Sequence, residues 1–227
     1  MDQLLTRRRM IFAVAALPLA TLPACTTLGD LEGFGFENAL RRLMTVSSQR
    51  AFTNLLTDNG FFSDELARVP LPPELAGAGG IASALLRTPA VQNQLLGIMN
   101  RAASDAAEAA APVVYDSIRN MTITDAMALV RGGPTAATDF LQRAMGTAIV
   151  DAMFPDVGNA LRLLDNGIVN QIVQSATGIS FGGLQRYVSQ SAADGIYRAI
   201  GREEAAIRAN PRSANDPVIA SMFGLLR

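Results

Sequence analysis

The sequence contains no histidine, no lysine and no tryptophan, and it has one cysteine, Cys25. Without histidine or a spare thiol, the chain cannot build the usual zinc sites, Ser–His or Cys–His nucleophile pairs, or haem ligation by these residues. Without lysine it has neither a Schiff-base amine nor the lysine of a phosphate loop. Carboxylates are the main groups left for proton transfer. A site for a hard cation built from carboxylates remains open. We nevertheless expect no cofactor and no metal, and a protein that is more simply a binding module than an enzyme.

The surroundings of Cys25 are typical of an export signal. Three arginines at 7–9 precede an apolar run over 10–22, which is too short to span about 30 Å of hydrocarbon. The run ends in Leu22-Pro23-Ala24-Cys25, which resembles the bacterial lipobox. The resemblance implies cleavage before Cys25 and its acylation by fatty chains such as palmitate, each methylene contributing about 0.8 kcal/mol to membrane binding. The alternative is a buried thiol in an ordinary cleaved signal or a short N-terminal anchor.

The residues beside Cys25 predict where the protein is delivered. Thr26 stands where an aspartate would resemble an inner-membrane retention signal, so the expected location is the periplasm, anchored to the outer membrane. The segment "TRRRMI" (6–11) is similar to a twin-arginine motif but has Met10 where an aromatic residue is usual. Both the general and the twin-arginine export routes remain open.

Charge limits the partners of the processed chain. Removal of residues 1–24 leaves 16 arginines and 19 acidic residues, a formal charge of −3. Scattered arginines on an acidic chain give no footprint for nucleic acid and no basic patch for anionic lipid. The expected partners are the membrane, reached through the lipid anchor, and a protein of the cell envelope.

The remaining pattern is helical. Hydrophobic residues make up 49% of the chain and charged residues 17%, and apolar positions recur at steps of three and four. We predict an all-α single domain of roughly eight or nine helices at 36–227, after a signal peptide at 1–24 and a lipidated tether at 25–35. The first predicted helix has apolar positions from 40 to 56 and is ended by Asn59-Gly60. The others are 73–86, 88–120 with a kink or break at Pro112, 125–131 capped by Thr124, 134–153 stopped by Phe154-Pro155, 156–165, 168–176, 183–210, and a last one capped by Asp216 or Asn215.

Six segments in order carry a family resemblance. They are "LLTDNGFFSDELARVPLPPEL", "MNRAASDAA", "MTITDAMALVRGG", "AATDF", "FGGLQRYVSQSAADGIY" and "EEAAIRANP", within about 39–224. Together they resemble the domain-of-unknown-function family 4197 of exported proteobacterial proteins, often lipoproteins. The resemblance implies an all-helical fold and brings no catalytic residue.

Several polar side chains are candidate site residues. Asn100, Ser104 and Glu108 share one helix face, where Asn100 and Glu108 would line a cleft or, more simply, belong to a hydrogen-bonded or solvated face. Asp125 and Asp139 stand near helix starts, where they would cap the helices or, if about 5–9 Å apart, form an acid–base pair.

Two further segments have an alternative interpretation. "RVPLPP" (68–73) is either a polyproline-type ligand or, as we favour, a rigid connector whose Val69 and Leu71 enter the core. Glu204 and Arg208 form an i,i+4 pair, which we expect at a solvated helix end; Arg208 would otherwise hold a partner's carboxylate.

Three functions follow from these residues. The favoured one is a lipid-anchored binding or scaffold module of the cell envelope. The alternatives are a carboxylate-dependent hydrolase that uses residues among Glu108, Asp125 and Asp139, and a carrier of an apolar ligand between alanine-lined helices.

Overall fold

A computed structural model describes residues 28–74, 84, 88–164 and 178–224. This part of the chain contains eight α-helices and no strand, which confirms the predicted all-α single domain. The helices are α1 (Leu28–Leu55), α2 (Gly60–Ser63), α3 (Pro89–Asn120), α4 (Ala126–Val130), α5 (Ala136–Met145), α6 (Ala148–Leu164), α7 (Phe181–Ala209) and α8 (Pro217–Gly224), with a 3-10 turn at Pro211–Ala214. None of the described helices is both long and apolar enough to cross a membrane.

Four helices, α1, α3, α6 and α7, form the centre of the domain. The most extensive pairings are α3 with α6, α1 with α7, α6 with α7, and α1 with α3. The largest side chains that they bury completely include Phe52, Met99, Ile118, Met153 and Ile196. The apolar periodicity of the sequence therefore marks the faces that meet in this core.

Alanine explains the close pairing of α3 with its neighbours. Five alanines of α3 have no exposed surface: Ala102, Ala103, Ala106, Ala107 and Ala110. Side chains this small let helix backbones approach one another. Pro112 lies inside α3 without ending it, on the exposed side of the helix, where water can hydrogen-bond to the Glu108 carbonyl that proline leaves without a helical donor.

The predicted helix at 134–153 is wrong. The structure has two helices there, because Gly146 adopts φ 54° after α5 ends at Met145. Pro155 does not stop α6, which continues through it to Leu164. Proline in a helix removes the donor to the carbonyl four residues earlier, here that of Asp151, and Asp151 is exposed, so the lost bond leaves no buried carbonyl unpaired.

Other predicted boundaries also move. Helix α1 begins at Leu28, so 28–35 of the predicted tether has a helical backbone, as no proline interrupts it. It ends at Leu55, and Asn59 then adopts the left-handed conformation with φ 61°. Asp125, and not Thr124, caps α4, because its carboxylate accepts the Ala128 N–H at 3.0 Å. The predicted helix at 168–176 and Cys25 lie outside the described residues, as does most of the helix at 73–86.

The proline-containing connector between α2 and α3 is held along α3 and α7. Val69 is fully buried, and its N–H and C=O pair with the Asn100 side chain at 2.8 and 2.9 Å. The Tyr187 hydroxyl donates to the Leu71 carbonyl at 3.2 Å, and Leu71 packs against the core. These contacts confirm the connector interpretation of "RVPLPP".

Gly195 is the point where this connector approaches α7 most closely. A Cβ atom at Gly195 would lie 2.5 Å from the Ala67 carbonyl oxygen, a backbone atom that cannot rotate away. We expect Gly195→Ala to lower the free energy of unfolding by about 1–3 kcal/mol through overpacking. Urea unfolding followed by circular dichroism measures the loss.

Gly182 supplies the matched control for this substitution. It lies in the same helix, and a Cβ there has nothing within 4 Å. Gly182→Ala should change the free energy of unfolding by no more than about 0.5 kcal/mol. Equal unfolding midpoints for the two variants would show that the connector is not packed closely against α7.

Candidate functional site

An open groove lies between α5 and α7, with the connector at one end. Its volume is about 630 Å³, within the range of about 300–1,000 Å³ that is usual for ligand sites. Helix α5 contributes Thr138, Asp139 and Gln142, α7 contributes Asp194, Tyr197, Arg198 and Arg202, and Leu66 comes from the connector.

Glu204 holds the two walls of this groove together. Its carboxylate projects from α7 and accepts the backbone N–H groups of Ala137 at 3.0 Å and Thr138 at 2.7 Å, in the first turn of α5. It also accepts the Thr138 hydroxyl at 2.6 Å. The first N–H groups of a helix have no partner within the helix, so Glu204 acts as their cap although it lies 66 residues away from Thr138 in sequence.

Arg208 completes the arrangement at the other side of Glu204. Its Nε donates to Glu204 Oε1 at 2.7 Å, while Nη1 and Nη2 donate to the carbonyls of Val130 at 2.8 Å and Leu129 at 3.0 Å, at the end of α4. The guanidinium carbon also lies 5.0 Å from the centre of the Phe223 ring. Arg208 therefore binds the end of α4 and contacts α8.

The predicted solvated helix end is thus wrong for this pair. The side chains of Glu204 and Arg208 are only 1% and 10% exposed. Every nitrogen of the Arg208 fork is engaged inside the domain, so it is not placed to receive a partner's carboxylate. The sequence shows the i,i+4 spacing of Glu204 and Arg208, but it does not show that both side chains are buried. Their burial arises from contacts with α4, α5 and α8, which are distant in sequence or separated by a turn.

Tyr197 is a groove residue that the sequence did not single out. It is 6% exposed, and its hydroxyl has no hydrogen-bond partner among the described residues. Burial, with a smaller contribution from the charge of Asp194, raises the pKa of Tyr197 to about 12. The hydroxyl therefore stays protonated at neutral pH, and an unpaired buried group of this kind costs about 1–3 kcal/mol.

The connector end of the groove is fixed by two arginines. Arg198 Nε donates to the Leu66 carbonyl at 2.6 Å, and Arg202 pairs with Asp64 at 2.7 Å. Burial alone would raise the pKa of Asp64, but hydrogen bonds from Arg202 and from the N–H groups of Leu66 and Ala67 bring it below its ordinary value. Asp64 is therefore charged at neutral pH, while the Leu66 side chain stays 43% exposed.

A second groove continues from the first across Leu66 and Arg202. Its volume is about 560 Å³, and its other lining residues include Asn54, Ser63, Asp64 and Glu65. Because Leu66 and Arg202 line both grooves, we treat them as one cleft, called the α5–α7 cleft below.

The candidate residues from the sequence do not line one common groove. Asn100 is buried and hydrogen-bonded to the backbone of Val69. Ser104 is also buried, and its hydroxyl has no hydrogen-bond partner in the described part of the chain. Glu108 is exposed on α3, and Asp125 caps α4. Asp139 lines the α5–α7 cleft, whereas the other four candidates line neither of its grooves. Within the described residues, no three carboxylates are close enough to hold a metal ion.

Comparison with known proteins assigns the chain to a family but finds no individual relative. No curated protein and no solved structure matches the chain. A family model matches residues 30–224, which is most of the chain and all of the described helices from residue 30 onward. The chain therefore belongs to the family described as protein of unknown function (DUF4197).

Proposed function

We propose that the protein is a lipid-anchored module of the cell envelope, held at the outer membrane by acylated Cys25, that binds a partner protein through its helical domain. The anchor is supported by the arginines at 7–9, the apolar run and the lipobox-like residues that end at Cys25. Binding is supported by the composition, which provides no histidine, no lysine and no second cysteine for catalysis.

The α5–α7 cleft is the observation that carries the binding function. It is open, and it combines an exposed leucine with charged side chains that can select a partner by charge complementarity. The buried charged pair next to it is fully engaged within the domain, because Glu204 binds the start of α5 and Arg208 binds the end of α4. Neither side chain of this pair is therefore available to react with a ligand in the cleft.

The hydrolase alternative has less support. Asp139 and Asp194 line the first groove, but Glu108 and Asp125 line neither groove of the cleft. Tyr197 is a poor proton donor or acceptor near neutral pH because burial raises its pKa to about 12. The carrier alternative would need an enclosed apolar cavity, whereas both grooves of the cleft open to solvent and have mixed linings.

The anchor is tested by Cys25→Ser. Without the thiol no acyl chain can be attached, so we expect the variant to move from the membrane fraction into the soluble periplasm, or to remain unprocessed. Fractionation of cells, with the size of the chain read on a gel, measures both outcomes. Thr26→Asp is the matched variant: it keeps the thiol and should remain in membranes, but shift towards the inner one. A cleaved Cys25→Ser chain that stays membrane-bound would contradict the anchor.

Partner binding is tested by photo-crosslinking in intact cells. A photoreactive residue is placed in the full chain, one position at a time, at Leu66 and Gln142 in the cleft and at Glu108 and Met127, which are exposed and line neither groove of the cleft. We expect one discrete protein adduct from the cleft positions and none from the other two. Adducts from Glu108 or Met127 alone would preserve the binding function and reject the cleft. No adduct from any position would reject binding.

A further inference from the structure

The charge of the α5–α7 cleft indicates what it binds. Its two grooves are lined by four carboxylates and two guanidiniums, a formal charge of −2. The carboxylates belong to Asp64, Glu65, Asp139 and Asp194, and the guanidiniums to Arg198 and Arg202. The first groove alone holds two carboxylates and two guanidiniums, but one of these guanidiniums, Arg202, is paired with Asp64. The cleft as a whole therefore favours a cationic ligand over a polyanion such as nucleic acid.

Three of these carboxylates, Glu65, Asp139 and Asp194, have no ion pair in the described part of the chain, and two of them line the first groove. Asp139 accepts the Thr135 hydroxyl at 3.3 Å, and Asp194 accepts the Gln190 amide at 3.2 Å. Asp64, by contrast, is paired with Arg202. Asp139 and Asp194 lie on the α5 and α7 walls of one groove, so an ammonium or guanidinium that enters this groove meets two carboxylates that have no ion pair.

An apolar contact and an unused donor lie in the same cleft. Leu66 is 43% exposed and stands where the two grooves join. Tyr197, 6% exposed in the α7 wall, has a hydroxyl without an acceptor among the described residues. The hydroxyl oxygen is itself buried, so a main-chain carbonyl of a ligand pairs with it only when the ring turns toward the groove.

We propose that the α5–α7 cleft binds an extended segment of a partner polypeptide in which an apolar residue stands next to lysine or arginine. The apolar side chain packs on Leu66, and the cationic side chain enters between Asp139 and Asp194. The two grooves meet at Leu66 and so match a segment that passes over this residue, whereas their open, charge-bearing linings do not match an acyl chain. This inference rests on the proposed binding function and adds the site and the chemistry of the partner.

The test uses short, unstructured peptides of one length that differ only in the residue after a central leucine. Lysine, arginine, acetylated lysine, glutamine and glutamate are compared for binding to the full chain in detergent by fluorescence anisotropy. We expect lysine and arginine peptides to bind at least about fivefold more tightly than the others, with the difference falling as salt is raised. Equal affinities for lysine and glutamate peptides would overturn the proposal.

Variants of the protein locate the effect. Asp139→Asn with Asp194→Asn should remove the preference for cationic peptides. Asp105→Asn with Glu108→Gln removes the same number of charges from exposed positions on α3 and should leave the preference intact. Equal loss in both double variants would mean that only the overall charge matters, which rejects the site. Cell adducts at Leu66 and Gln142 without any peptide preference would keep the binding function and reject this partner chemistry.

Discussion

The buried pair of Glu204 and Arg208 is the interaction on which the arrangement of the smaller helices depends. Glu204 binds the N–H groups that begin α5, and Arg208 binds the carbonyls that end α4. Each charge therefore meets the helix end of opposite partial charge. A single pair on α7 thus fixes both sides of the turn between α4 and α5, and the position of α5 against α7 in turn forms the main groove of the cleft.

The same solution recurs at other helix ends. Arg41 donates to the carbonyls of Arg119 at 2.9 Å and Met121 at 2.6 Å, at the end of α3, and also to Ile118, while pairing with Glu37. Asp216 accepts the N–H groups of Val218 and Ile219 in α8 and pairs with Arg42 on α1 at 2.7 Å. All basic side chains are arginine, and a forked guanidinium reaches two or three acceptors where an ammonium is a point charge. The absence of lysine thus fits an interior in which cations tie helices together.

Much of this fold was predictable because its signals are local. Apolar spacing predicted the long helices α1, α3 and α7, and Thr88-Pro89 and Asp216 marked helix starts that the structure confirms. The prediction ended the helix at Pro155 because a proline usually interrupts a helix. The cost is small here, since the carbonyl that loses its donor belongs to the exposed residue Asp151. Gly146 gave no clear warning, since a glycine occurs inside helices as well as at the positive φ that it adopts here. The site was the least predictable part: Leu66 and Asp139 meet Asp194 and Tyr197 only because segments far apart in sequence pack together, and the burial of Glu204 has the same non-local origin.

A double-mutant cycle on Glu204 and Arg208 tests the central claim most directly. The free energy of unfolding in urea is measured for the parent, Glu204→Gln, Arg208→Gln and the double variant, with the exposed pair Arg101 and Asp105 as a parallel cycle. Each single change should cost about 3–5 kcal/mol, because it leaves a buried charge and a helix end unpaired. The double variant should cost less than the sum by about 1–3 kcal/mol, while the Arg101–Asp105 cycle should give a coupling below about 0.5 kcal/mol. Single losses under about 1 kcal/mol that simply add would contradict the account.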